Sequence, residues 1–149
     1  MNNEKDLKIV EILLVEDNPA DIRLTQEAIK ESKISNNLHI VRDGMEAISF
    51  LRKEGKFSNA VRPDLILLDL NLPKINGFEV LNEIKKDDDL KRIPVVILTI
   101  SEAEVDLLNA YNNYANCYVN KPLDIKEFYK IVKSIGNFWF TVVKLPDGV

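Results

Sequence analysis

Glu16-Asp17, Asp69, Thr99 and Lys121 are the residues whose types and spacing could do chemistry together. Each follows a short apolar run: Ile12-Leu13-Leu14-Val15, Leu65-Ile66-Leu67-Leu68, Val95-Val96-Ile97-Leu98 and Cys117-Tyr118-Val119-Asn120. Three carboxylates packed closely repel one another, and a divalent cation relieves that repulsion. Mg²⁺ uses one or two carboxylates, waters and phosphate oxygens, and the backbone carbonyl of Asn71 could complete its shell. A hydroxyl at Thr99 and an ammonium at Lys121 are suited to phosphoryl oxygens, where positioning and charge neutralisation carry most of the chemistry. A carboxylate can itself be the nucleophile in such a transfer, and Asp69 is the best candidate because it is the most central. Any one of these residues alone is more often structural than catalytic. The joint pattern is specific: an acidic pair, an Asp, a Thr and a Lys-Pro, each closing a different apolar run.

The elements that must position these groups follow from the same runs. Short stretches rich in Ile, Val and Leu read as strands buried on both faces, as in parallel sheets. Ligands of open parallel sheets bind beyond the carboxyl ends of the strands, so the groups above should gather at one edge. Helical segments lie between the runs. Pro19 to Lys33 carries Leu24, Ala28 and Ile29 at helical spacing, with Asn18 as N-cap and Pro19 at the first helical position. Leu38 to Val41 is a shorter strand. After the Asp43-Gly44 turn, Ala47, Ile48 and Leu51 mark a helix that Gly55 is expected to end. Arg62-Pro63-Asp64 opens the third strand, and Gly77 to Lys86 places Val80, Leu81 and Ile84 on one helical face. Lys85 to Lys91 reads as a solvated charge run, Glu102 to Tyr111 as a fourth helix, and Asp124 as the cap of a fifth carrying Phe128, Val132 and Ile135. Five β-α units imply an α/β fold, a parallel sheet covered on both faces, with right-handed crossovers.

The 149 residues fit one domain, with 46% hydrophobic and 30% charged residues. A net charge of -4 argues against a nucleic-acid groove. No apolar window approaches the ~18 residues of a membrane span, and the polar start shows no secretory signal. A single cysteine, Cys117, fits a reducing cytosol and a small buried strand residue, so a cytoplasmic location is expected.

The motifs Leu14-Val15-Glu16-Asp17-Asn18, Leu67-Leu68-Asp69-Leu70-Asn71-Leu72-Pro73 with Gly77, Leu98-Thr99 and Tyr118-Val119-Asn120-Lys121-Pro122 resemble the receiver domain of two-component response regulators. The resemblance covers residues 9 to 138 in order and spacing. It implies a flavodoxin-like (βα)5 doubly wound sheet of five parallel strands in the order 2-1-3-4-5. It implies that Asp69 is the phosphoacceptor. Glu16, Asp17, Asp69 and the Asn71 carbonyl would hold Mg²⁺, and Thr99 and Lys121 would contact the phosphoryl group. Lys121-Pro122 is implied to be a cis peptide. The family's switch pairs Thr99 with Tyr118: the hydroxyl moves to the phosphoryl group, the aromatic ring turns inward, and the helix 4–strand 5–helix 5 surface changes. Asn112, Asn113 and Tyr114 stand where many receivers have a glycine that ends helix 4. Asn71 and Ser101 occupy positions that tune autodephosphorylation in the family.

Residues 1–8 are expected to be a flexible start, 9–138 the receiver, and 139–149 an extension packing on the domain or at a dimer contact, with the aromatics Phe138-Trp139-Phe140 at the junction. The tail and the Cys117–Leu123 block also resemble the small regulators that serve phytochrome-type histidine kinases. The expected partners are therefore a histidine kinase, a downstream protein and a second copy, with no nucleic acid and no membrane. The expected role is a phosphoacceptor signalling protein and not an enzyme. The competing enzyme reading is a haloacid-dehalogenase-type phosphatase, which needs an acid two residues after its nucleophile, where this chain has Asn71. A degenerate scaffold receiver would lack the acidic pair, the acceptor or the lysine. A dinucleotide fold would need a Gly-rich turn after the first strand.

Overall fold

The computed structural model describes residues 9–32, 34–99, 117–121, 124–128 and 130, with backbone alone for Thr99, Cys117, Tyr118 and Asn120. Its elements are β1 (Val10–Val15), α1 (Pro19–Glu31), β2 (Asn36–Val41), α2 (Gly44–Arg52), β3 (Leu65–Asp69), α3 (Gly77–Lys86), β4 (Val95–Thr99) and β5 (Cys117–Asn120). The strands form one parallel sheet in the order β2-β1-β3-β4-β5, the flavodoxin-like arrangement. The expected helix over 102–111, Ser101, Asn112, Asn113, Tyr114, Pro122 and both chain ends lie outside the described residues.

The continuous apolar runs are explained by what covers the sheet. Leu13, Val15, Ile66, Leu68, Val95 and Ile97 face one core, shared with Ala47, Phe50 and Leu51 of α2 and Val80, Leu81 and Ile84 of α3. Ile12, Leu14, Leu65, Leu67, Val96 and Leu98 face the other, shared with Ile22 and Ile29 of α1 and with Phe128. Alternate residues of one strand thus enter opposite cores, and no position is left for a polar side chain. Each fully buried Leu or Ile stabilises the fold by roughly 1.5–3 kcal/mol relative to an exposed one.

Local chemistry sets the helix starts. Asn18 Oδ1 accepts from the backbone N–H of Ala20 at 2.9 Å and of Asp21 at 3.1 Å, and Pro19 takes the first helical position, where no donor is needed. Asp43 Oδ1 accepts from Glu46 N–H at 2.8 Å to start α2. Asn76 and Glu79 form a reciprocal capping box at α3, with bonds of 3.0 and 3.1 Å. Asp124 caps the last described helical turn by accepting from Glu127 N–H at 2.7 Å.

The structure corrects several expected details. Leu24 is 45% exposed; α1 buries Ala28 and Ile29 as expected, together with Ile22 and Thr25. Strand β2 begins at Asn36, two residues before Leu38, and β3 begins at Leu65, after Asp64. Helix α2 ends at Arg52 and is capped by Lys53, which takes the left-handed conformation at φ 57°, and Gly55 at φ 58° opens a short 3₁₀ turn beyond it. Lys85 and Lys86 belong to α3, and a second 3₁₀ turn at Leu90–Arg92 drops Leu90 into the core.

Candidate functional site

The chain leaves β1 to form β2 on one side and returns to form β3 on the other. That reversal opens a crevice at the carboxyl ends of β1 and β3, the place where open α/β sheets bind ligands. Glu16 and Asp17 follow the last residue of β1, and Asp69 is the last residue of β3. Glu16 is fully buried and Asp69 nearly so, whereas Asp17 is exposed. One ligand oxygen from each of the three lies within 4.8 Å of the others.

Lys121, immediately after β5, reaches over this cluster and is 9% exposed. Its Nζ lies 3.1 Å from Glu16 Oε1, 3.3 Å from Asp69 Oδ1 and 2.9 Å from Asp21 Oδ2. Two backbone amides also serve the carboxylates: Asn18 N–H donates to Glu16 Oε2 at 3.2 Å, and Asn71 N–H donates to Asp69 Oδ1 at 3.3 Å. Glu16 Oε1 is enclosed, and the Lys121 ammonium 3.1 Å away is its ion-pair partner.

These surroundings shift the ionisation of all three groups. Burial, then the negative charge of Asp69, pushes Glu16 up to about 7, against the opposing pull of Lys121 and the Asn18 amide. Burial likewise raises Asp69, with Lys121 and the Asn71 amide pulling the other way. Burial opposes the charge on Lys121, but hydrogen bonding to Asp21 and then the charges of Asp69 and Glu16 outweigh it, so the lysine stays protonated well above its ordinary range. The pocket therefore holds more negative charge than one lysine settles.

That imbalance fits a divalent cation. The ligands are hard oxygens from two strand ends, the donor type that suits Mg²⁺, Ca²⁺ or Mn²⁺ and not a soft metal. Glu16 Oε1 is enclosed with only an ammonium beside it, which leaves a lone pair that a cation can take.

Strand register sets where the other expected residues fall. Asp69 pairs with Leu98, so Thr99 lies one residue beyond it on the neighbouring strand, opposite Asn120. Tyr118 lies opposite Ile97 on β5. The side chains of Thr99 and Tyr118 lie outside the described residues. His39 is a half-buried β2 residue whose Nε2 is 2.8 Å from Glu11 Oε1, away from the crevice. Asp21 carries no sequence signal of its contact, because an acidic residue in a first helical turn reads as a complement to the helix dipole.

A family model described as the response regulator receiver domain matches residues 12–133. The chain belongs to that family. Response regulator Rcp1 of Synechocystis is 53% identical over 135 residues, 91% of this chain and 92% of the relative. A solved structure described as the phosphorylated cyanobacterial phytochrome response regulator RcpA is 52% identical, with a TM-score of 0.74 over 93% of this receiver and 99% of that chain. A solved structure described as the Mn²⁺-bound form of Rcp1 is also 52% identical, with a TM-score of 0.72 over 92% of this receiver and 99% of that chain. The acidic trio of this receiver offers the hard-oxygen donors that a divalent cation takes, and the similar Rcp1 structure is described as an Mn²⁺-bound form. Nothing in the fold favours the haloacid-dehalogenase reading: Asn71 cannot supply the acid that class needs. No described helix is long and apolar enough to cross a membrane.

Proposed function

We propose that this receiver accepts a phosphoryl group on Asp69 from the phosphohistidine of a histidine kinase. The observation that carries the reading is the position of Asp69: a buried carboxylate at the mouth of a central strand, 3.3 Å from an ammonium and within the acidic trio. An Asp69 carboxylate oxygen attacks phosphorus in line, the P–N bond breaks, and the departing imidazole nitrogen takes a proton from solvent. The product is an acyl phosphate with a new P–O bond on Asp69. Lys121 holds one phosphoryl oxygen and Thr99 another. Mg²⁺, bound by Glu16, Asp17, Asp69 and the Asn71 carbonyl, would supply positive charge against the phosphoryl oxygens. Water later cleaves the mixed anhydride, returning the carboxylate. The protein turns over no separate substrate, so it is a signalling protein that assists its own phosphorylation and autodephosphorylation.

Phosphorylation draws Thr99 toward the site, Tyr118 turns into the space left, and the surface around β5 and its flanking helices changes for a downstream protein or a second copy. The likeness to phytochrome regulators supports a phytochrome-type kinase as donor.

Acetyl phosphate with Mg²⁺ tests the chemistry. One phosphoryl group should be gained and then released by hydroxylamine. Asp69→Asn should abolish the gain, and Lys121→Ala should keep cation binding while blunting the switch. A labelled phosphoryl group retained by Asp69→Asn protein refutes the assignment.

A further inference from the structure

The shortest contact of Lys121 is with a residue that the proposed transfer does not use. Asp21 Oδ2 lies 2.9 Å from Nζ, closer than Glu16 or Asp69. Asp21 sits in the first turn of α1, outside the acidic trio, with its backbone fixed by the Asn18 cap. Its side chain is 26% exposed, so the pair lies at the rim of the crevice while the ammonium lies inside.

We propose that Asp21 is a positioning residue, a resting counter-ion that draws the Lys121 ammonium toward α1 and competes with the phosphoryl group for it. The inference rests on the reading of Asp69 as phosphoacceptor and Lys121 as a phosphoryl contact. An ammonium has three N–H donors, and three carboxylate oxygens already lie within 3.3 Å of this one. A phosphoryl oxygen gains a donor only if one of those contacts lengthens. Glu16 and Asp69 share their charge with a bound cation, which weakens their hold on Lys121. Asp21 does not, so its grip persists and sets the cost of releasing the lysine. The protein thereby holds down the phosphorylated state through a residue that touches neither the metal nor the phosphoryl group.

The test uses the full chain with Mg²⁺ and beryllium trifluoride, a mimic of the phosphoryl group on a carboxylate. Asp21→Asn should bind the mimic about fivefold more tightly, the upper range for a partly exposed ion pair. In a Lys121→Gln background the same Asp21→Asn change should alter affinity by less than about twofold, because the competition acts through the lysine. A second readout needs no lysine variant. The ¹⁵N signal of the Lys121 ammonium should shift when the mimic binds, and Asp21→Asn protein without the mimic should show part of that shift. Unchanged or weaker mimic binding by Asp21→Asn overturns the inference, and so does a fivefold gain that persists without Lys121, which would mark simple charge repulsion. An unmoved ammonium signal overturns it too. Failure of the starting protein to bind the mimic, or equal binding by Asp69→Asn, overturns the phosphoacceptor reading itself and the inference with it.

Discussion

Gly77→Ala would press on the site from behind. Gly77 is the first residue of α3, and its N–H donates to Leu70 O at 3.0 Å. A Cβ there would lie 2.5 Å from the Asp69 carbonyl oxygen, 2.5 Å from Leu70 Cα and 3.1 Å from Leu70 Cδ2. Ordinary contacts between carbon atoms sit near ~3.5–4.0 Å, so either the helix start or the strand end must move by roughly 1 Å. Neither yields readily. Strand β3 is paired on both sides, to β1 and to β4, and α3 is anchored in the core by Val80, Leu81 and Ile84. Overpacking of this kind costs about 1–3 kcal/mol. The higher helix propensity of Ala offsets at most ~1 kcal/mol. A net loss of about 1–2 kcal/mol corresponds to a fall in Tm of roughly 2–8 °C for a domain of this size. Because the collision is with the Asp69 backbone, the cation affinity should fall as well. Calorimetric Mg²⁺ titration and a thermal scan read both effects. Gly55→Ala is the control: its φ of 58° strains any side chain, yet no atom lies within 4 Å of the added Cβ, so it should lower Tm and leave Mg²⁺ affinity alone. Gly77→Ala protein with unchanged Tm and Mg²⁺ affinity would refute the claim that close helix–strand approach positions Asp69.

Three further outcomes follow from the site and from the helix start beside it. Glu16 is lifted from 4.5 to about 7 in the cation-free pocket, so its contribution to stability is full below pH 4.5 and lost as pH rises through about 7. The cation-free protein should therefore melt lower at pH 8 than at pH 5.5 as far as this group is concerned. The loss is bounded at about 3 kcal/mol and reduced by water in the crevice. Cation binding requires the ionised carboxylate, so Mg²⁺ affinity should rise roughly tenfold from pH 6 to pH 8, and Glu16→Gln should flatten that slope. An affinity independent of pH in calorimetry would contradict the burial argument. Asn18→Ala removes the acceptor for two α1 amides and should cost about 1 kcal/mol, seen as a Tm lower by about 2–4 °C. An unchanged Tm would mean that Pro19 alone starts the helix.

The parts of this molecule that were legible in sequence are those where one physical demand dominates. A run such as Leu65–Leu68 has no polar residue because both faces of β3 are buried, and the register then follows from which strands can lie beside it. Asn18-Pro19 was readable because capping is local, whereas Asp43-Gly44, read as a turn, is the N-cap and first residue of α2. The misread positions are those where tertiary packing overrides local preference. Gly55 has the freedom to end α2, but Lys53 takes the left-handed position two residues earlier. Leu24 fits a helical stripe, yet the stripe that meets the sheet runs through Ile22, Thr25 and Ile29.

Asp21 differs from both, because its partner stands a hundred residues further along the chain and only the sheet order brings them together. With β5 at the far edge of the sheet from β2, Lys121 must reach back across β4 and β3 to the crevice beside β1. A long, flexible side chain can do that, and once there it meets whatever α1 presents at its first turn. The residue at that turn is therefore as much a determinant of where the ammonium rests as the carboxylates beneath it. An uncharged residue in that turn would leave Lys121 to Glu16 and Asp69 alone, and the cation would then have to compete with the lysine for both of its deepest ligands. Holding the lysine partly by Asp21 keeps those ligands more open to the metal while withholding the ammonium from the phosphoryl position. On the proposed reading, one carboxylate outside the trio eases loading of the cation and opposes retention of phosphorus, and Asp21→Asn should move the two effects in opposite directions.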